Sequence, residues 1–249
     1  MTNAGLPDLD EARSTQEVLL RPIREGNAFE DTVNRLLQTI RLGVVAPGEA
    51  LPAERDLATR FGVSRDTVRD AIRSLADAGY VESRRGRYGG TFVCETQPAP
   101  GRGTDNEPKP VSAAELADIL GLREILEVGA ARSAAARSLT ATEREELWSR
   151  LRAVQDSDPA DYRRFDSQLH LYIGELVGAP SLLPVLADNR MRVNVLLDDI
   201  PLLERNIAHS NQQHEAIVIA ILTGQTDQAA SAMAEHLAGS AALLRGFLG

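Results

Sequence analysis

One aspartate and three of the four histidines are spaced so that they could bind a single metal ion. Asp166 and His170 are four residues apart on a predicted helix, so their side chains point the same way. His214 lies ten residues before the turn at 224–226 and His236 ten residues after it, so the two come level in a helical hairpin. This nitrogen and oxygen set suits Zn²⁺, Ni²⁺, Mn²⁺ or Fe²⁺ and leaves coordination positions open for another ligand.

The same residues allow two other interpretations. Taken singly, a histidine is more often an ordinary buried or half-exposed polar group than a metal ligand. Three of only four histidines obey the geometry, which favours the metal site, and His209 is predicted to lie on the surface. An ion with open positions could also activate water, so a metal-dependent hydrolase is the alternative function. No carboxylate or histidine beyond the four ligands is clearly placed as a general base, which argues against an enzyme.

A set of helices must position these residues. Beyond Ser112 no strand pattern is convincing, and helix-start signals recur every 20 to 30 residues. Ser112, Thr140 and Ser210 each begin a capping box. The predicted helices are 112–138, 141–156, 159–177, 182–199, 202–208, 211–223 and 227–247. Because their connections are short, they should pack as an antiparallel bundle.

Further side chains of this bundle could bind an anionic ligand. Arg123 lies on the inward stripe of its helix, where the guanidinium could bind a carboxylate through two hydrogen bonds. The alternative for Arg123 is an ion pair with Glu127, four residues later. Arg190, Arg192 and Asn194 could also face the pocket, but their helical phases differ and they cannot all do so.

Residues 52–93 have the pattern of a helix, a tight turn, a second helix and a glycine-rich hairpin. Gly62 ends the first helix, and Ser64 is placed to cap the second, which continues to Gly79. Two short strands follow. With an amphipathic helix predicted at 28–42, this is the outline of a winged helix-turn-helix.

Arginines on the second helix and on the hairpin could contact DNA. Arg65, Arg69 and Arg73 stand four residues apart and lie on one stripe, with Thr67 beside them. The alternative is an ordinary solvated helix face whose arginines pair with neighbouring aspartates. The hairpin tip is rich in arginine and glycine, which suits close approach to phosphate, and it contains Arg85, Gly86 and Arg87.

The composition is that of a folded protein with two modest domains. The chain has 249 residues, of which 43% are apolar. Its net charge of −9 argues against a protein that coats nucleic acid through overall charge, so DNA binding must depend on a local patch. The single cysteine, Cys94, excludes an internal disulfide and indicates a reducing compartment, the cytoplasm. No apolar run approaches the ~20 residues of a membrane span, and no signal-peptide pattern is present.

Composition also divides the chain. Residues 1–27 have no sustained period and are predicted to be a flexible arm. We predict the winged domain at 28–95, a linker rich in proline and glycine at 96–111, and an all-helical domain that carries the candidate metal ligands at 112–249. The predicted fold class is therefore mainly α.

The run PGEALPAERDLATRFGVSRDTVRDAIRSLADAGYVESRRGRYGGTFV resembles the DNA-binding domain of the GntR family of bacterial transcription regulators nearly end to end. The resemblance implies DNA contacts from Arg55, Arg65, Thr67 and Arg69, with Gly86 at the wing tip reaching the minor groove. The candidate DNA-binding residues are therefore Arg55, Ser64, Arg65, Thr67, Arg69, Arg85, Gly86 and Arg87.

The segments FDSQLHLYIGEL and QQHEAIVIAILTGQTDQAASAMAEHL resemble the helical FCD domain of the FadR-type subgroup, over about 112–245. This resemblance is looser than the first. Leu169 stands where the family often has Phe and Ala179 where it often has Asn, and neither removes a ligand. The resemblance implies that Arg123 anchors an effector's carboxylate, and that the metal ligands are Asp166, His170, His214 and His236.

Together the two resemblances predict a transcription regulator, a repressor rather than an enzyme. A homodimer would bind a palindromic operator in double-stranded DNA, without a membrane partner. A small organic acid bound at the metal would change operator affinity. The residues leave open which metal and which acid are bound, and which surface forms the dimer.

Overall fold

The computed structural model describes residues 28–86, 89–96, 111–198 and 204–248. The predicted arm at 1–27, Arg87 of the wing and residues 97–110 of the predicted linker lie outside the described residues. The described part of the chain forms nine helices and two strands. None of these helices is both long enough and apolar enough to cross a bilayer.

The N-terminal unit is a winged helix-turn-helix. Its elements are α1 (Ala28–Arg41), α2 (Glu54–Phe61), α3 (Arg65–Asp77), β1 (Val81–Arg84) and β2 (Gly90–Val93). Gly62 ends α2 in the left-handed backbone region (φ 69°), which glycine adopts without steric cost. The Ser64 hydroxyl accepts a hydrogen bond from the Thr67 amide (3.0 Å) and so caps α3. The strands pair antiparallel, with Val81 opposite Val93.

An apolar core holds the three helices and the wing together. Leu36 of α1, Phe61 of α2 and Val68 of α3 are completely buried. Val81 and Val93 extend the same core into the wing. Because all three helices and both strands share this core, the orientation of α3 relative to the wing is fixed.

Six helices form the C-terminal unit. They are α4 (Ala113–Ala135), α5 (Ala141–Gln155), α6 (Tyr162–Leu176), α7 (Leu182–Asp198), α8 (Glu204–Leu222) and α9 (Thr226–Leu248). Ser112 caps α4, and Thr140 with Glu143 forms a complete capping box at the start of α5, as the sequence predicts. Helices α8 and α9 form a hairpin around Gly224, and both pack against α4. The predicted mainly α architecture, a winged unit followed by a helical one, is confirmed.

One predicted helix boundary is wrong. The segments predicted as separate helices, 202–208 and 211–223, form the single helix α8. No proline or glycine interrupts the chain between 204 and 222, so nothing forces the helix to end. Ser210 therefore lies inside α8 rather than at a cap, and its hydroxyl lies 3.4 Å from Nδ1 of His236.

The two units contact each other through the end of α1 and through α6 and α7. Leu42, just after α1, packs in a buried cluster with Leu171 of α6 and Leu186 of α7. The side-chain amide of Gln168 on α6 donates a hydrogen bond to the Gly43 carbonyl (2.7 Å). Helix α6 therefore touches the winged unit directly.

Candidate metal centre and ligand cavity

Three helices bring the predicted metal ligands together. Helix α6 carries Asp166 and His170 one turn apart, α8 carries His214 and α9 carries His236. All four residues are buried, and one donor atom from each lies within 4.8 Å of the others. The structure therefore places side by side the whole set that the spacing singles out.

The donor atoms are spaced as ligands of one ion would be. The Nε2 atom of His214 lies 3.3 Å from Nε2 of His170, 3.3 Å from Nε2 of His236 and 3.1 Å from Oδ1 of Asp166. Two ligands bound to a tetrahedral ion at about 2.0–2.1 Å are themselves about 3.3 Å apart. The separation from Nε2 of His170 to Oδ1 of Asp166 is 3.7 Å. A divalent ion would fit among these atoms after small movements.

Contacts on the outer nitrogens of His170 and His236 leave their inner nitrogens unprotonated. Nδ1 of His170 contacts the Glu127 carboxylate, which only accepts, so this nitrogen carries the proton. Nδ1 of His236 lies 3.3 Å from Oε1 of Gln213, which also accepts. Assigned from these partners, both Nε2 atoms present lone pairs to each other and to Asp166. With Nε2 of His214 and the Asp166 carboxylate, these lone pairs form a compact set of nitrogen and oxygen ligand atoms, and the chemistry of this set fits a metal ion.

Burial favours the protonation states that bind a metal. Desolvation lowers the pKa of His170, and it lowers the pKa of His236 well below the usual value, with His214 adding to the effect. Burial by itself would raise the pKa of Asp166, but Arg190 and then the histidines lower it well below the usual value. At neutral pH His170 and His236 are therefore neutral and the carboxylate is ionised.

A buried ion network lies behind the ligands. Arg190 is completely buried, contacts Oδ2 of Asp166 and lies 3.5 Å from Oε1 of Glu127. The same Glu127 oxygen lies 3.1 Å from Nε of Arg123. The sequence indicates Glu127 only as an ion-pair partner of Arg123, and its contact with His170 is not predicted. The sequence signal for Glu127 is weak, because it consists only of a position four residues after Arg123 on the inward stripe.

A cavity of about 390 Å³ opens beside the ligands. Asp166 and His236 form part of its wall, as does Arg123, whose Nη1 donates a hydrogen bond to the Ser240 hydroxyl (2.8 Å). This volume lies within the roughly 300–1,000 Å³ range of small-molecule sites. A guanidinium and the candidate ion ligands thus share one cavity of metabolite size.

Two residues predicted to contact the effector do not line this cavity. Arg190 is enclosed behind Asp166. Asn194 donates a hydrogen bond to the Ser167 hydroxyl (2.9 Å) and lines a different cavity, between the winged and helical units. Arg192 is exposed and lies near carboxylates of α4. The structure therefore does not place Arg190 or Asn194 in this cavity: Arg190 reaches the carboxylates of Asp166 and Glu127, and Asn194, one turn further along α7, reaches Ser167.

The predicted DNA-contacting side chains lie on α2, α3 and the wing. Arg65 is exposed and forms no ion pair within the described part of the chain. Arg69 pairs with Asp66 (2.9 Å) and Glu54 (3.1 Å), so the solvated-face interpretation describes Arg69 in the free protein. Exposed pairs of this kind are worth only about 0–1 kcal/mol, so DNA could displace them. Arg55, Ser64, Arg85 and Gly86 are exposed as well, and Thr67 is half-buried.

Comparison with known proteins assigns both units. Residues 29–93 match the family model described as bacterial regulatory proteins, gntR family, and residues 118–239 match the FCD domain. The transcriptional repressor NanR of Cronobacter sakazakii is 31% identical over 229 residues, which cover 87% of this chain and 85% of NanR. The chain belongs to the GntR family.

Two further proteins are similar to this GntR regulator along most of its length. A protein named for regulation of the L-lactate dehydrogenase operon in Escherichia coli K12 is 29% identical over 238 residues, 88% of this chain and 86% of that one. The solved structure of E. coli McbR/YncC has a TM-score of 0.54 at 19% identity and covers 88% of this chain and 97% of its own. That structure supports the fold.

Family membership makes this chain a DNA-binding transcription regulator with an FCD domain as its effector-binding unit. Its full-length relatives named above are themselves regulators. They give no support to the alternative of a metal-dependent hydrolase.

Proposed function

We propose that this GntR regulator is a repressor that binds a palindromic operator as a homodimer and responds to a small carboxylate held at a metal ion. The observation that carries the proposal is the convergence of Asp166, His170, His214 and His236 beside a cavity with Arg123 in its wall. NanR, which is similar along most of the chain, is named as a transcriptional repressor.

The four ligands would hold a divalent ion such as Zn²⁺, Ni²⁺, Mn²⁺ or Fe²⁺. When bound, the ion would supply positive charge at the floor of the cavity, where an effector's carboxylate could bind. Glu127 orients the His170 ring, and Arg190 keeps Asp166 ionised. The chain's own residues therefore provide the deprotonated ligands and the hydrogen bonds behind them.

Arg123 is well placed to bind the effector at a second point. Its guanidinium lies in the cavity wall and is already held by Glu127 and by the Ser240 hydroxyl. Because these contacts restrict its motion before the ligand arrives, little side-chain entropy is lost on binding. A carboxylate oxygen not bound to the ion is the natural partner of this guanidinium.

The proposal is tested by measuring the affinity of the protein for its own promoter DNA under four conditions. The protein is loaded with Zn²⁺ or stripped of metal, each with and without a panel of small carboxylates. A change in operator affinity that requires both Zn²⁺ and one of the acids supports the proposal. Equal affinity under all four conditions contradicts it.

Arg65 should contribute directly to operator binding. It lies exposed at the N-terminal end of α3, the part of a recognition helix that contacts base edges. We expect Arg65→Ala to weaken operator binding by about 1–3 kcal/mol at fixed salt concentration. Arg144→Ala, at an exposed position on α5, is the matched control and should leave the affinity unchanged. An Arg65→Ala variant that binds as tightly as the wild type would remove this side chain from the interface.

Helix α6 could carry the signal from the ligand site to the winged unit. Asp166 and His170 lie on its cavity side, and Gln168, between them in sequence, donates to Gly43 on the opposite side. A second hydrogen bond joins Gln38 of α1 to Asp188 of α7 (2.7 Å). A small displacement of α6 when the ion binds would therefore reach the segment that follows α1.

The Gln168 contact can be tested with Zn²⁺ alone as the probe. In the wild type, Zn²⁺ should slow amide hydrogen exchange in residues 38–45. We expect Gln168→Ala to bind Zn²⁺ normally but to lose this protection, since the link to the Gly43 carbonyl is gone. Gln212→Ala, an exposed glutamine on α8, is the control and should behave as the wild type. Equal protection of 38–45 in Gln168→Ala would exclude this contact as the route.

A further inference from the structure

The cavity beside the candidate ion site changes character with distance from the ligands. Helical geometry sets this order, because a step of four residues advances about 6 Å along a helix and a step of seven about 10 Å. The floor contains Asp166 of α6 and His236 of α9, with His214 of α8 alongside. From each of these residues the cavity wall can be followed away from the floor.

A layer of hydroxyl groups lies one turn from the floor. Tyr162 precedes Asp166 by four residues, Ser210 precedes His214 by four, and Ser240 follows His236 by four, and all three hydroxyl-bearing residues line the cavity. Tyr162 is buried, and its hydroxyl interacts with the Ser210 hydroxyl of the same layer. A polar group of a ligand that crosses this layer would meet hydroxyl groups, which can both donate and accept hydrogen bonds.

An aliphatic layer lies two turns from the floor. Ile207 precedes His214 by seven residues and Leu243 follows His236 by seven. Leu197, near the end of α7, is the third aliphatic residue that lines the cavity. Gly239, three residues after His236, lines the cavity between the floor and the hydroxyl layer, and a Cβ there would meet no atom within 4 Å. The passage out of the polar floor is therefore open at this point.

We propose that the effector is a carboxylic acid with a medium-length aliphatic chain, whose carboxylate binds at the ion and whose chain packs against Leu197, Ile207 and Leu243. This inference rests on the proposed function, because it assumes that a carboxylate binds at the ion site. It adds the chemical nature of the part of the effector that lies beyond the carboxylate. A small, fully polar acid would leave the aliphatic layer exposed to water and would gain nothing from it.

The inference is tested with a series of straight-chain acids, acetate, butanoate, hexanoate and octanoate, titrated into the full-length protein loaded with Zn²⁺ and followed by calorimetry. The carbons next to the carboxylate lie in the hydroxyl layer, so the increase in affinity with chain length should begin beyond butanoate. Each further methylene that reaches the aliphatic layer should raise affinity about fourfold, so hexanoate should bind about fifteenfold more tightly than butanoate.

Two variants make the aliphatic layer polar. Ile207→Asn and Leu243→Asn should each remove most of the gain from butanoate to hexanoate while acetate binds as before. Ile219→Asn is the matched control, because Ile219 lies on the same helix as Ile207 but is exposed, outside the cavity. It should keep the full gain. Because Ile207 also packs on the core, Ile207→Asn could fail to fold. Leu243→Asn then provides the same test.

The outcomes separate this inference from the proposed function. If acetate binds only in the presence of Zn²⁺ and hexanoate binds no more tightly than acetate, the carboxylate site stands and the aliphatic effector is excluded. If the gain with chain length is unchanged in both asparagine variants, these walls are not the binding surface and the inference fails. If no acid binds in a Zn²⁺-dependent way, the proposed function fails and this inference fails with it.

Discussion

Replacement of His214 by alanine should weaken Zn²⁺ binding more than a hundredfold. Loss of a side chain that only hydrogen-bonds to a metal ligand already lowers metal affinity about 10–100-fold, and His214 is itself a candidate ligand. His214 is the central donor of the cluster, within 3.3 Å of the Nε2 atoms of both other histidines and 3.1 Å from Asp166. Without it only Asp166, His170 and His236 remain, and the donor atom with the shortest contacts to the others is lost. Competition with a chromophoric Zn²⁺ chelator measures the change directly.

A second measurement on the same variant uses stability. At a free Zn²⁺ concentration 100 times the dissociation constant, the ion should stabilise the wild type by about 2.7 kcal/mol, and the variant should gain almost nothing at that concentration. Its metal-free form should still bind operator DNA. His209→Ala is the control, because His209 is the exposed histidine of the same helix. Stoichiometric Zn²⁺ in the purified His214→Ala protein would refute the ligand set.

Replacement of Arg190 by methionine should destabilise the metal-free protein by about 3–5 kcal/mol, the usual cost of removing one partner from a buried charge pair. Arg190 is completely buried between the carboxylates of Asp166 and Glu127. Without its charge, burial disfavours both ionised carboxylates, and only Arg123 remains to compensate Glu127. Urea unfolding followed by the fluorescence of Trp148, the single tryptophan, reports this loss in the helical unit.

The position two residues further along the helix provides the control. Arg192 is exposed and lies 3.5 Å from Asp118, so Arg192→Met should change stability by only about 0–1 kcal/mol. Zn²⁺ should restore part of the stability of Arg190→Met, because an ion at Asp166 replaces the missing positive charge. If Arg190→Met is as stable as Arg192→Met, the buried network does not stabilise the fold.

Local geometry explains why the candidate ligands could be predicted. Asp166 and His170 are one helical turn apart, and His214 and His236 are placed symmetrically about a short turn, so the backbone brings each pair together whatever else the chain does. The same kind of argument predicts Ser64 as the cap of α3. It fails for Ser210, because a capping-box pattern also occurs inside an uninterrupted helix.

Contacts between distant segments could not be predicted in this way. Arg190 is 24 residues from Asp166 and 63 from Glu127, and Gln168 is 125 residues from Gly43. Which side chains meet across such separations depends on how all the helices pack, and neighbouring positions of α7 send Arg190 inward and Arg192 to solvent. Helical spacing puts Arg190 on the stripe of Leu186 and Val193, but it does not identify the carboxylates that Arg190 meets.

The sequence alone therefore determined the class of protein, the helix that carries Arg65 and the four candidate metal ligands, since each depends on residue types at short, regular spacing. The tertiary structure decided the rest: the burial of Arg190, the contact between Glu127 and His170, the layers of the cavity and the contact of α6 with Gly43. The physical reason is that backbone geometry sets neighbours within a helix, whereas neighbours between helices are set by the packing of the whole core.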